Sequence, residues 1–337
     1  MKKYIYILCI GITQLVSAQE DKWSGSRPDG HAPISVMGDH THGKGEVMFS
    51  YRYMFMNMED LNRGSENVEF SNALIPNDIY MVTPTQMPMN MHMLGAMYAP
   101  SDKVTLMVMV NYLSSEMDHI TAMGGQFTTE SSGFGDTKVS AMYKFFNKNK
   151  QQLHGQIGIS IPTGSIDEMD VTPASSPNEV ILPYPMQIGS GTWDPELALT
   201  YLKQWNTFSF GTQARTTLRI GENDNEYRLG NKYSLNNWLA IKATDWLSVS
   251  GRFELGAIDK IEGVNPALNP MMVITADTSN SGMTYANAGI GFNLYVFKGS
   301  FKNLRLGAEA ALPVFQNMNG VQLRNKETIT LGLQYAL

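Results

Sequence analysis

Disulfides, dense charge and long apolar runs are all missing from this chain of 337 residues. It holds a single cysteine, so no intramolecular disulfide braces it. Charged residues make up 17%, below the roughly 25% of an ordinary soluble domain. Beyond the N-terminus there is no uncharged apolar run of about 18 residues, which excludes a helical membrane protein. Acidic residues outnumber basic ones, 31 to 25. That balance excludes nucleic acid as a partner class, since its binders carry basic patches. No heptad or collagen repeat appears either. Hydrophobic residues nevertheless reach 43% while mean hydropathy is slightly negative. Apolar and polar residues must therefore be interleaved.

The first residues read as an export signal. Lys2 and Lys3 form the positive region, Ile5 to Val16 the apolar region, and Val16-Ser17-Ala18 a small-residue cleavage site. Cleavage after Ala18 removes Cys9, the sole cysteine, and two lysines, taking the formal charge from −6 to −8.

From Glu46 onward the period is two. Val47, Phe49, Tyr51, Tyr53 and Phe55 share one face, against Met48, Ser50, Arg52, Met54, Met56 and Met58 on the other. Val104, Leu106, Val108 and Val110 alternate with Lys103, Thr105, Met107 and Met109, and Ile329, Leu331, Leu333 and Tyr335 with Thr328, Thr330 and Gln334. Such alternation is a strand signal. Twelve segments of this kind begin near 46, 88, 103, 135, 152, 192, 206, 232, 246, 283, 301 and 326. Their connections take turns. Long ones fall near 59–87, 114–132, 163–191, 221–231, 258–282 and 313–325, and short ones near 99–102, 147–150, 203–206, 243–245 and 297–300. Backbone groups in lipid must pair within the structure, so a closed ring is the solution. The expectation is all-β: a twelve-stranded antiparallel transmembrane β-barrel with short periplasmic turns and long external loops. Outer-membrane lipid of a Gram-negative cell is then its main partner. Trp238 is the exception, an aromatic on the polar parity of its strand.

The residues Gly133-Phe134-Gly135-Asp136, Ile161-Pro162-Thr163-Gly164 and Gly191-Thr192-Trp193-Asp194-Pro195 give a resemblance. With them the chain resembles outer-membrane barrels of the "MetA-pathway of phenol degradation" type, related to long-chain fatty-acid channels. That resemblance implies passage of small, often apolar compounds. The stretch Arg27 to Pro33, followed by Met37-Gly38-Asp39-His40 and a Met-rich first hairpin, resembles a branch associated with copper handling. One departure is the final Leu337, where such barrels usually end on an aromatic.

Methionine is concentrated. Sixteen of the 23 lie between Met37 and Met142, and five of the six histidines precede residue 120. Met54, Met56 and Met58, with Met89, Met91 and Met93, and with Met107 and Met109, fall on the polar parity of neighbouring strands. Thioethers select Cu(I), and imidazoles complete such a set. His92 and His119 lie toward the same external rim, and His31, His40 and His42 in the leader before the first strand. Packing of a narrow lumen is the plain alternative for the methionines. Three regions are expected: 1–18 as signal, 19–45 as a His-containing periplasmic or plug segment, and 46–337 as the barrel. The leader, 27 residues from Gln19 to Gly45, reaches about 90 Å when extended and so can enter a lumen.

No enzymatic constellation appears: no phosphate loop, zinc-protease helix or thiol nucleophile. No cofactor is required beyond a candidate Cu(I). Three readings follow: a transporter with a Met-rich lumen for soft metal ions such as copper, a channel for small apolar or aromatic compounds, or a non-conducting metal-sequestering surface protein. Oligomeric state is left open.

Overall fold

The computed structural model describes residues 22–337. The export signal at 1–18 and the first residues of the leader lie outside the described residues.

Eleven strands close a ring. They are β1 (Val47–Gly64), β2 (Val82–Tyr98), β3 (Val104–Thr121), β4 (Thr137–Lys148), β5 (Gln151–Ile161), β6 (Asp194–Gln204), β7 (Phe208–Thr217), β8 (Lys232–Lys242), β9 (Leu247–Ile258), β10 (Met283–Tyr295) and β11 (Leu304–Ala336). Each pairs antiparallel with its neighbour in sequence, and β11 closes on β1. Two further strands attach outside this path, Glu66–Val68 on β1 and Gln126–Phe134 on β3. No helix among the described residues is long and apolar enough to cross a membrane.

The ring thus has eleven elements rather than the expected twelve, and the difference lies in the last. An odd number of strands cannot close with antiparallel pairing throughout. β11 resolves this by reversing: Arg305–Met318 pairs with β10, and Met318–Ala336 pairs with β1. Gly320, at φ 65°, sits at the reversal. A straight strand of 33 residues would run about 110 Å, several times the apolar band of a membrane barrel.

Two expected long connections are mostly strand. Residues 114–132 continue β3 and return as Gln126–Phe134, and 313–325 lie within β11. These hairpins rise past the apolar belt, where no lipid imposes an apolar face, so their sequences lack the strong alternation that marks the spanning parts.

Outward positions carry the apolar parity. Phe49, Leu94, Ile157, Leu239, Ile290 and Leu331 are all exposed. In water such a surface would be a liability; in lipid it is the solvated face. The inward parity is polar and buried, with Ser50, Arg52, Thr105, Ser140, His154 and Gln213 among its members. Facing charges pair there. Glu196 meets Lys138 Nζ at 2.5 Å and Arg215 at 2.6 Å, and Asp194 pairs with Arg219. Arg252 bridges Glu309 at 2.6 Å and Glu254 at 2.8 Å. At the long-connection end, Leu61, Met87 and Met117 of the wall pack with Tyr80, Leu182, Met186 and Ile274 from the loops.

Candidate functional site

Residues 22–45 run against the inward parity around the ring. Polar side chains of the wall read the backbone of this segment. Arg52 Nε donates to the Ile34 carbonyl at 3.0 Å, and Arg305 to that of Ala32. Gln213 Nε2 donates to Met37 O at 3.0 Å, Ser248 Oγ to Pro28 O at 2.8 Å, and Ser209 Oγ to Asp29 O. The His154 ring lies 2.9 Å from Gly38 O, while the His42 amide donates to Thr105 Oγ1 at 3.0 Å. β1, β3, β5, β7, β9 and β11 all contribute, so the segment is tethered from every side.

Apolar anchors complete the fit. Trp23, Ala32 and Val36 pack with Leu202 and Trp238. This explains the parity of Trp238: it faces inward because an apolar partner waits there. Ile34 is fully buried against Gly307 and Gly332, where a Cβ on Gly332 would stand 2.5 Å from Ile34 Cγ1. Gly38 combines φ +65° with a close approach to Gln156 Oε1. Only glycine fits that position.

The segment folds its histidines together. The His31 and His40 rings are 4.5 Å apart, and the His40 and His42 rings 4.9 Å. Ligand atoms of His31, Asp39 and His40 lie within 4.8 Å of one another. Each ring has one nitrogen tied to an acceptor. His31 Nε2 donates to Gly25 O at 3.0 Å, His40 Nδ1 to Asp39 Oδ1 at 2.8 Å, and His42 Nδ1 to Glu46 Oε2 at 3.2 Å. The opposite nitrogens, His31 Nδ1, His40 Nε2 and His42 Nε2, are buried without a hydrogen-bond partner. An unpaired buried acceptor costs about 1–3 kcal/mol. Burial, aided by the Arg305 cation, pushes His31 down to about 3. Burial with the adjoining His40 ring pushes His42 down to about 4. Both are neutral imidazoles at neutral pH. A cavity of about 460 Å³, lined by all three histidines, Glu46, Met48 and Lys144, opens at the short-turn end.

The methionines form opposed rows. Met48 faces Met97, Met54 faces Met91, Met56 faces Met89 and Met58 faces Met87 across β1 and β2. Met97 in turn faces Met107 of β3. Met58 and Met89 pack on the external apolar cluster, and Met107 on Met48, Met97 and Met142. Met93 lies opposite Arg52 and Met109 opposite Gly95, both buried. His92 is not among them. It is exposed on the outer face, 2.8 Å from Tyr51 Oη. His119 lies apart as well, stacked on Phe127 with ring centroids 4.7 Å apart.

His119 belongs to a second cavity, of about 310 Å³, at the long-connection end. Its wall is mainly apolar, with Val82, Phe127, Leu182, Leu268, Met272 and Val273. Two buried polar atoms on residues of that wall have no hydrogen-bond partner, His119 Nδ1 and Thr129 Oγ1. Sequence reasoning missed this pocket, because its wall comes from β2, β3 and three separate connections. It also passed over Glu46, whose role depends on the turn that brings it to His42.

No curated protein sequence matches the chain. Among solved structures, an outer membrane channel from Pseudomonas putida F1 superposes with a TM-score of 0.60 at 13% identity, covering 90% of this chain and 99% of that one. A FadL homologue from Pseudomonas aeruginosa gives 0.46 at 9% identity, covering 94% and 98%. The TodX monoaromatic hydrocarbon channel, as a deletion mutant, gives 0.46 at 7%, covering 88% and 90%. The fold is that of outer-membrane channels. Residues 97–296 match the family described as "Putative MetA-pathway of phenol degradation", and the chain, an outer-membrane barrel, belongs to that family.

Proposed function

We propose that the chain is an outer-membrane channel for small, mostly apolar solutes bearing one hydroxyl, with residues 22–45 as its gate. The carrying observation is the external cavity: an apolar wall with two buried, unpartnered polar atoms, His119 Nδ1 and Thr129 Oγ1. Such a pocket selects by apolar contact and orients by a few polar groups. A solute hydroxyl pairs with His119 Nδ1 and with the Thr129 hydroxyl. Phenol is the simplest compound of this class, and the description of the family agrees with it. From there the Met-lined wall leads inward to the tethered segment, which must move for the solute to leave at the periplasmic end.

Equilibrium binding of labelled phenol and benzene to the folded protein tests this. Phenol binds more tightly than benzene, and Thr129→Val weakens phenol about tenfold, the worth of one hydrogen bond, with benzene unchanged. If neither compound binds the parent, or Val273→Asp leaves both unaffected, the reading is wrong.

A second reading rests on the opposed methionine rows of β1 and β2. Paired thioethers are a ligand set for a soft monovalent ion such as Cu(I), and on this reading the lumen passes or holds that ion.

A further inference from the structure

Three imidazoles from one short segment converge, and in each the hydrogen bond made by one nitrogen decides the state of the other. Gly25 O, Asp39 and Glu46 can only accept, so the facing nitrogens of His31, His40 and His42 carry the protons. Their opposite nitrogens therefore present bare lone pairs, buried and without a hydrogen-bond partner, although Asp39 Oδ2 stands 3.8 Å from His31 Nδ1. A ring nitrogen held by a carboxylate or carbonyl, with its other nitrogen free, is how metal-ligating histidines are oriented. The same three rings line the cavity that opens at the short-turn end. Among the His, Cys, Asp and Glu of the described residues, ligand atoms gather within 4.8 Å of one another only at His31, Asp39 and His40, and the His42 ring adjoins that of His40.

We infer that His31, His40 and His42 bind one borderline divalent transition ion, of the zinc or copper(II) class, loaded from the periplasmic side, with the Asp39 carboxylate orienting the His40 ring from behind. Charge alone does not make this site. Lys144 and Arg305 line the same cavity and repel any divalent cation alike, so ligand type must select the ion, and calcium wants oxygen ligands. Three imidazole nitrogens suit zinc and copper(II) instead. Nitrogens around a tetrahedral zinc lie roughly 3.4 Å apart, closer than the ring separations of 4.5 and 4.9 Å, so binding must draw the three rings together. The ion joins His31 to His40 across the Ile34 anchor, and binding stabilises the docked segment. The metal site is independent of which solute the channel passes.

The test uses the mature protein folded in detergent. Zn²⁺ and Cu²⁺ are titrated separately against a chromophoric chelator, with His31→Asn, His40→Asn and His42→Asn beside the parent. All three residues precede the first strand, and heat-modified gel mobility reports the barrel separately. The parent binds one ion with submicromolar affinity, each variant loses at least thirtyfold, and absorption spectroscopy at the metal edge shows only nitrogen and oxygen neighbours. Copper(II) outbinds zinc at most nitrogen sites, so the coordination geometry at the metal edge, tetrahedral or tetragonal, identifies the class of ion. Absence of stoichiometric binding by either metal, equal binding by the variants, or a sulfur shell would each overturn the site. Phenol binding, measured on the same samples, fails or succeeds separately.

Discussion

Trp238 faces the lumen, where it packs with the leader segment. It is a large aromatic on an otherwise polar parity, almost fully buried, and it meets Trp23 of the segment. Gly211 on the next strand leaves room for its ring, since a Cβ there would lie 2.1 Å from Trp238 Cζ2. Truncating a buried Trp to Ala costs about 3–5 kcal/mol, and here the loss falls on docking rather than on the barrel ladder. Trp238→Ala should therefore leave gel mobility and strand content unchanged while residues 22–45 become sensitive to protease. Unchanged protease resistance would show that the carbonyl tethers suffice alone. In the sequence, Trp238 is legible as an anomaly but not as an anchor. Its partner lies more than two hundred residues away, and only closure of the ring brings the two together. His40 and His42 are legible as neighbours, two apart on an extended chain. His31 joins them only after the turn that buries Asp29 and Gly30.

Strands show which regularities survive folding. Parity gave the inward and outward faces and the short turns, because a period of two follows directly from the pleat. Boundaries were less legible wherever strands outrun the membrane, as in the hairpin through residues 114–134 and the reversal within β11. The methionine rows belong to this scale too. Their parity was readable, and the register of β1 on β2 then sets four Met–Met pairs directly opposite one another. Parity does not say whether opposed thioethers pack or coordinate. Replacing Met54, Met56, Met58, Met89, Met91 and Met93 with Leu separates these roles, since volume-conserving swaps cost under about 1.5 kcal/mol each. If the rows only pack, an anaerobic Cu(I) competition titration gives equal affinity for parent and variant. If they hold a soft ion, the parent binds tightly and the variant loses at least a hundredfold. Divalent binding at the histidines stays the same in both cases.

The whole molecule is a ring with matter at both ends. Loop residues Tyr80, Leu182, Met186 and Ile274 cover the external end, while residues 22–45 cross the lumen below. On the proposed reading a channel so built conducts only when the segment yields, and the chain offers a direct way to hold it. Its sole cysteine is Cys9, in the expected signal, so two introduced cysteines have only each other as partners. Ile34 and Gly307 are suited to the pair: a Cβ on Gly307 would lie 3.0 Å from Ile34 Cβ, slightly inside the roughly 3.5–4.5 Å of a disulfide. The variant Ile34→Cys with Gly307→Cys should be silent in planar bilayers when oxidised. Reductant should then restore the opening events of the parent. Each single-cysteine variant should conduct alike with and without reductant, which isolates the cross-link from the loss of the Ile34 anchor. Equal conductance of the oxidised and reduced double variant would mean that solute passes beside the segment, and the gate would have to be sought among the external loops.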